Sequence, residues 1–265
     1  LWQDIEAVRQ QAPLVHNITN YVVMNCTANA LLAVGAAPVM AHAAEEIEDI
    51  VRIASALVVN IGTLSADWVQ SMRLAMVAAR QRRIPVVLDP VGAGASSLRT
   101  ETCLELLGLA PPTIVRGNAS EIRALRVAGA TTRGVDSRDS AQVALAAGRE
   151  LSLATGAVVS ISGPVDLIVF GDQVMEVANG HPLMPRVTGL GCVASALTGA
   201  FAAVVPDAFR AAAHAMAVMG ICGEVAAETA RGPGSFEVAF LDALYRLDEG
   251  TVRTRLRLRV RRARG

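Results

Sequence analysis

The chain has 265 residues, enough to bury a sizeable core in one large α/β domain or two small ones. Formal charge is zero and the hydrophobic share is 52%, but Gly, Pro or polar residues interrupt every apolar run before it reaches membrane-span length. All 24 basic residues are arginine and none is lysine, which excludes a P-loop, a protein-kinase strand lysine and a Schiff base to pyridoxal phosphate.

In chain order, an amphipathic helix over about 4–11 leads into a short strand at 13–18 that ends in polar residues. Helix resumes near Asn20 and runs through Leu32, with Gly35 as its stop. A strand at 38–41, an acidic helix over 45–54 and an apolar strand at 56–61 follow. Ser65 can cap a helix reaching Arg82, Pro85 breaks it, and the strand 86–88 closes on Asp89-Pro90. After a helix over 98–107, the strand 113–115 meets Arg116-Gly117-Asn118-Ala119-Ser120-Glu121 at a helix start. A helix over 137–155, a strand at 157–161 and a hairpin of 166–170 with 173–177 across Gly171-Asp172 come next. The remainder is mostly helical, from Val193 to Ala230 with a break at Pro206, then from Phe236 to Leu247. Short apolar strands alternating with helices predict an α/β fold, a mostly parallel central sheet with helices on both faces.

The last fifteen residues hold seven Arg and no acid, leaving residues 1–250 at −7. The arginines of this tail alternate with a strand-like period, as in a solvated extension or an edge strand. In the body the arginines are scattered and only nine aromatic residues exist to stack bases, so neither nucleic acid nor a membrane is an expected partner. The cysteines, Cys26, Cys103, Cys192 and Cys222, are far apart with no C-x-x-C pair, against structural zinc and a disulfide framework. A reducing cytoplasm fits, and no targeting signal is read.

Ligands of an open parallel sheet bind beyond the carboxyl ends of its strands. Strand after strand ends there in polar groups: Asn17 to Asn20, Asn60 to Thr63, Asp89-Pro90, Arg116 to Asn118, and Ser162-Gly163. The series closes on Thr188-Gly189-Leu190-Gly191-Cys192, a glycine turn running into an apolar helix. Its free amides and the helix dipole make an anion site suited to a phosphoryl group, and Cys192 at that end is expected to shift toward thiolate. The same turn also fits a tight strand-to-helix connection with a small buried cysteine. Asp89 reads as a Mg²⁺ ligand or a strand terminator. Asn118 with Glu121 reads as a capping box that leaves a metal contact through water open. In a chain without Lys, Arg116 is the best-placed cation for a nucleotide phosphate, or else the partner of an acid. Met40 fits core as well as a ligand wall, and His16, His181 and His214 receive no catalytic role.

Together His16-Asn17-Ile18-Thr19-Asn20, Leu88-Asp89-Pro90-Val91-Gly92-Ala93-Gly94, Arg116 to Glu121 and Thr188 to Cys192 resemble the hydroxyethylthiazole kinase family, over residues 2–248. Relatives in the ribokinase-like superfamily usually carry Asp where Cys192 stands. The resemblance implies a three-layer ribokinase-like fold over residues 1–250, with 251–265 outside it. It implies ATP- and Mg²⁺-dependent phosphorylation of 4-methyl-5-(2-hydroxyethyl)thiazole in thiamine biosynthesis or salvage, by a homotrimer with substrate sites at subunit contacts. Carried over, Met40, Gly189 and Asn20 contact the thiazole, and Arg116, Ser162 and Gly191 the nucleotide. Asp89 and Glu121 serve the metal, and Cys192 lies beside the substrate hydroxyl and takes its proton. Two positions depart: Leu190 stands where a smaller residue is expected, and Ser162 where Thr is usual. A kinase for a pyrimidine or sugar alcohol, a ribokinase-like ATP-dependent dehydratase, and a nucleotide-binding protein without turnover remain open.

Overall fold

The computed structural model describes residues 1–125 and 140–262. The amino-terminal half alternates helix and strand: α1 Trp2–Gln11, β1 Leu14–Ile18, α2 Met24–Val34, β2 Ala37–Val39, α3 Ile47–Ile53, β3 Ala56–Asn60, α4 Ala66–Arg82 and β4 Val86–Asp89. It continues through α5 Ser97–Leu109, β5 Ile114–Asn118, α6 Ala119–Ala124, α7 Ser140–Thr155 and β6 Val158–Ser162. The hairpin β7 Asp166–Phe170 and β8 Gln173–Val177 precedes four helices, α8 Leu190–Val204, α9 Ala208–Thr229, α10 Pro233–Arg246 and α11 Glu249–Arg255, and the chain closes with β9 Leu258–Arg262. The first three residues of the helix expected over 137–155 lie outside the described residues.

Among the described residues the strands form a single sheet in the order β2-β1-β3-β4-β5-β6-β7-β8-β9. Strands β1 to β6 pair in parallel, and β7, β8 and β9 are added antiparallel. Six parallel strands therefore present their carboxyl ends along one edge. Adjacent residues of one strand feed opposite cores, as the two-residue period of a strand demands. Val58, Val87, Ile114 and Val158 pack with α1, α2, α8, α9 and α10, while Val59, Leu88, Val115 and Val159 pack with the α4, α5 and α7 face. A sheet buried on both faces explains why its strands read as unbroken apolar runs.

Helix α8 lies against the middle of that sheet because its buried face is built of small residues. A Cβ at Gly199 would stand 2.6 Å from Val58 Cγ2. This close seating aims the start of α8 at the polar edge. Burial of Leu197 and Phe201 on the same helix stabilises the arrangement by about 1.5–3 kcal/mol each.

Three expectations need correction. The helix placed from Asn20 begins at Met24, because residues 20–23 form a turn in which the Val23 amide donates to the Asn20 carbonyl at 3.2 Å. Strand β2 ends at Val39, short of Met40 and Ala41, where the Ala41 carbonyl meets His16 Nε2 at 2.8 Å. Strand β5 runs on through Arg116 and Gly117 to Asn118 because β6 offers a partner for every one of its residues. Of the two readings of the arginine tail, the structure takes the edge strand, entered through α11.

Candidate active site

Strands β3 and β4 pair so that Asn60 stands opposite Asp89 at their carboxyl ends. Asn60 Nδ2 donates to Asp89 Oδ2 at 2.8 Å, and Ser195 Oγ of α8 donates to the same oxygen at 2.7 Å. Asn60 Oδ1 accepts from Asn20 Nδ2 at 2.9 Å and from the Gly62 amide at 3.0 Å. Asn20 Nδ2 also reaches Cys192 Sγ at 3.5 Å. A side chain at position 62 would collide with Asn20, its Cβ falling 2.6 Å from Nδ2, so glycine is required where the loop passes this close. Asp89 and Cys192 thus share one hydrogen-bonded pocket.

Asp89 is buried, and its Oδ1 has no hydrogen-bond partner. Burial pushes the carboxyl up to about 6, with Arg116, Ser195 and Asn60 drawing it down and Glu121 adding to the rise. Cys192 runs against expectation. Burial first and the Asp89 charge second push its thiol up to about 12, outweighing Asn60, Asn20 and Arg116, so the thiol is not shifted toward thiolate here.

Gly189 caps α8 with φ of +86°, and a Cβ there would lie 2.9 Å from Val23 Cγ1 and 3.0 Å from Cys26 Sγ. The amides of Leu190, Gly191 and Cys192 open the helix and have no intrahelical carbonyl to meet. Leu190, where a smaller side chain was expected, packs into the core on one side and faces the same cleft as Gly191 and Arg116 on the other.

Arg116 emerges from β5 below that turn. Its Nη1 donates to the Gly191 carbonyl at 2.8 Å and its Nη2 to Ser162 Oγ, while Nε–H is buried without a partner. These three expected nucleotide residues come together on a cleft of about 910 Å³, whose wall also includes Asp166, Asn179 and Met184. Asp166 was not singled out from the sequence. Burial pushes its carboxyl up to about 6 although its Oδ1 accepts the Gly163 amide at 3.0 Å. An acid opening the apolar strand Asp166–Phe170 was the available signal.

Glu121 closes the predicted capping box: Asn118 Oδ1 accepts from the Ser120 and Glu121 amides, and Glu121 Oε2 accepts from the Asn118 amide at 2.8 Å. Its Oε1 accepts the Gly92 amide at 2.9 Å, tying it to the loop that follows Asp89-Pro90. Among the described residues no cluster of three or more His, Cys, Asp or Glu forms a metal site. Of the expected metal residues, Asp89 keeps one oxygen without a partner, while both oxygens of Glu121 accept backbone amides.

Met40, half-buried just past the outer strand β2, is not joined to the network by any bond among the described residues. Beside it in sequence, His42 belongs to a ring cluster with Trp68 at 4.7 Å and Tyr21 at 6.5 Å, which the sequence reading missed. His16, His181 and His214 are engaged with the Ala41 carbonyl, the Leu183 amide and the Asp4 carboxylate.

Arg116, Ser162 and the start of α8 share one cleft, and the buried Asp89 is joined to the same helix through Ser195. The model of the Hydroxyethylthiazole kinase family matches residues 5–250. The chain belongs to this family. The hydroxyethylthiazole kinase of Syntrophus aciditrophicus (strain SB) is 59% identical over 258 residues, 97% of this chain and 96% of that protein. The hydroxyethylthiazole kinase of Leptospira biflexa is 57% identical over 254 residues, 96% and 95% of the two chains. The solved structure of the hydroxyethylthiazole kinase protein from Pyrococcus horikoshii OT3 superposes with a TM-score of 0.90 at 44% identity, covering 98% of each chain. The pyridoxal kinase from Staphylococcus aureus, at 15% identity and a TM-score of 0.65, shares the ribokinase-like fold alone.

Proposed function

We propose that the chain transfers the terminal phosphoryl group of ATP to the hydroxyl of 4-methyl-5-(2-hydroxyethyl)thiazole, supplying thiamine biosynthesis or salvage. The observation that carries this reading is the bonded path from Asp89 through Asn60 and Asn20 to Cys192 Sγ, which joins the carboxylate to the phosphoryl-binding helix start. Residues 1–250 are read as the catalytic domain and 251–265 as an appended segment.

Phosphoryl transfer passes through a loose transition state, so positioning and charge stabilisation outweigh the need for a strong base. The amides of Gly191 and Cys192 hold the oxygens of the moving phosphoryl group, at the positive end of α8. Arg116 is held by Gly191 and Ser162 with its unpaired Nε–H near the nucleotide, and it balances phosphate charge. Met40, Gly189 and Asn20 line the acceptor side. Cys192 works as a neutral thiol that orients the acceptor hydroxyl; as the new O–P bond forms and the bond to ADP breaks, the hydroxyl proton passes late to an oxygen of the transferred phosphoryl group.

Asp89 and Glu121 fit a hard cation: both are oxygen donors, and Asp89 Oδ1 is a buried acceptor with no partner. Mg²⁺ held there would neutralise the charge of the nucleotide phosphates. The absence of lysine places more of that task on the metal and on Arg116.

We read the protein as a cytoplasmic homotrimer. Among the described residues no helix is long and apolar enough to cross a membrane. Packed helices α2 and α10 leave Leu32 (59% exposed), Val238 (63%) and Tyr245 (74%) without cover, a surface suited to another copy of the chain.

The test is a panel of alcohols with ATP and Mg²⁺, read as ADP released and phosphate ester formed. The thiazole alcohol is expected to be turned over at about 1–100 s⁻¹. Preference for a pyrimidine or sugar alcohol would reassign the acceptor, and nucleotide binding without turnover of any alcohol would remove the kinase reading. Sedimentation gives the trimer its own check, since a monomeric mass would discard it.

A further inference from the structure

The hydrogen bonds around Asp89 are unequal. Oδ2 accepts from Asn60 Nδ2 at 2.8 Å and Ser195 Oγ at 2.7 Å, while the equally buried Oδ1 accepts none. A carboxylate oxygen with two donors is fixed in orientation, and its unpartnered twin is left costly unless a ligand meets it.

Ser195 is fully buried, and its choice of partner is informative. A serine or threonine inside a helix commonly returns its hydroxyl to the carbonyl four residues earlier. Thr198 of the same helix does this, donating to the Ala194 carbonyl at 2.7 Å. Ser195 instead spans 106 positions of sequence to reach Asp89. It stands three residues after Cys192, about one helical turn, so the same bond sets how far the helix-opening amides lie from the carboxylate. Asn60 completes the grip from the sheet, where register already places it opposite Asp89.

We propose that Ser195 and Asn60 are positioning residues that hold Oδ2 of Asp89 and thereby reserve Oδ1 for the cation and phosphate of the incoming nucleotide. This rests on the reading of Asp89 as the carboxylate that serves the metal. Ser195 acts through Asp89 and ties α8 to β4, whereas Asn60 acts through Asp89 and also holds Asn20 and the Gly62 amide.

The experiment measures Mn²⁺ binding to the full chain with ADP, by electron paramagnetic resonance, beside the Mg²⁺ concentration giving half-maximal turnover and the melting temperature. Ser195→Ala should weaken Mn²⁺ binding and raise the Mg²⁺ requirement by about 10- to 100-fold, while the KM for the alcohol moves by less than about twofold. Ser195→Thr, which keeps the hydroxyl, should recover most of the loss. Asn60→Ala reads the same grip from the sheet side and stands in for the Mn²⁺ measurement if Ser195→Ala does not fold; because it also frees Asn20, its KM for the alcohol is expected to rise as well. A Ser195→Ala protein that melts earlier but binds Mn²⁺ as the parent does, while Asp89→Asn loses the ion, overturns the inference alone. If Asp89→Asn itself binds Mn²⁺ like the parent, the metal reading of Asp89 falls and the inference with it.

Discussion

Arg116 Nη1 donates to the carbonyl of Gly191 at 2.8 Å, across 75 positions of sequence, so a strand side chain holds down the first turn of α8. A Cβ at Gly191 would stand 3.1 Å from that nitrogen, which leaves the contact little slack. Arg116→Ala removes both this bond and the one to Ser162 Oγ and should cut kcat/KM for ATP by about 100-fold, roughly two hydrogen bonds to a charged group. Arg116→Lys should recover little, because an ammonium cannot span two partners in one plane. Steady-state kinetics with varied ATP decides it.

Asp89 ionises at about 6 in the fold against its usual 3.8, chiefly because it is buried. The folded state therefore binds this proton more tightly than the unfolded chain. Charging the group costs stability as pH rises from about 4 to about 6, roughly 3 kcal/mol in all, and that cost stays constant above. Asp89→Asn should melt several degrees higher than the parent above about pH 6, match it below about pH 4, and lose kinase activity. Thermal melts of both proteins across that range, without nucleotide, read the effect, and parallel curves at every pH would refute it.

Gly189 holds φ of +86° with Val23 and Cys26 pressed against the place a side chain would occupy. Gly189→Ala adds backbone strain of about 1–2 kcal/mol to a contact 2.9 Å from Val23 Cγ1. It should lower the melting temperature and reduce turnover more than Gly234→Ala, where a Cβ meets nothing within 4 Å. Equal behaviour of the two variants would mean that the turn tolerates a side chain.

Cys192 is held up to about 12 by burial and by Asp89, so it remains a thiol through the working range. Cys192→Ala should lower turnover by about tenfold with ATP affinity unchanged, the loss of an orienting contact rather than of a base. Its profile of turnover between about pH 6 and pH 9 should keep the shape of the parent's. A limb near pH 8 present in the parent and absent from Cys192→Ala would restore the thiolate.

Much of this was legible in the chain because its signals are local. Apolar runs of four or five residues between Gly, Pro and Asn mark the parallel strands, the Gly171-Asp172 hairpin falls where its turn places it, and Ser65 caps α4 as its position requires. The recurrence of polar residues at strand ends foretold the edge on which Asp89, Arg116, Ser162 and Gly191 meet. The missed features depend on partners distant in sequence. Ser195 looks like any small residue of an Ala-rich helix until Asp89 is seen beneath it, and the Cys192 thiol was misjudged because the helix dipole is visible in sequence while burial and a neighbouring carboxylate are not. Glu224 and Glu176 give no hint along the chain that arginines of the tail will fold back onto them.

That last pairing has a consequence for the outer rim of the sheet. With β9 in place, Arg261 answers Glu176 and Arg257 answers Glu224, and the backbone donors and acceptors of β8 are occupied. Each surface ion pair contributes little, at most about 1 kcal/mol. Their larger effect is protective: a molecule cut after Gly250 would offer β8 as a naked template for stray strands, and would also release Asn179 of the cleft wall, which is bonded to Arg255 and Arg257.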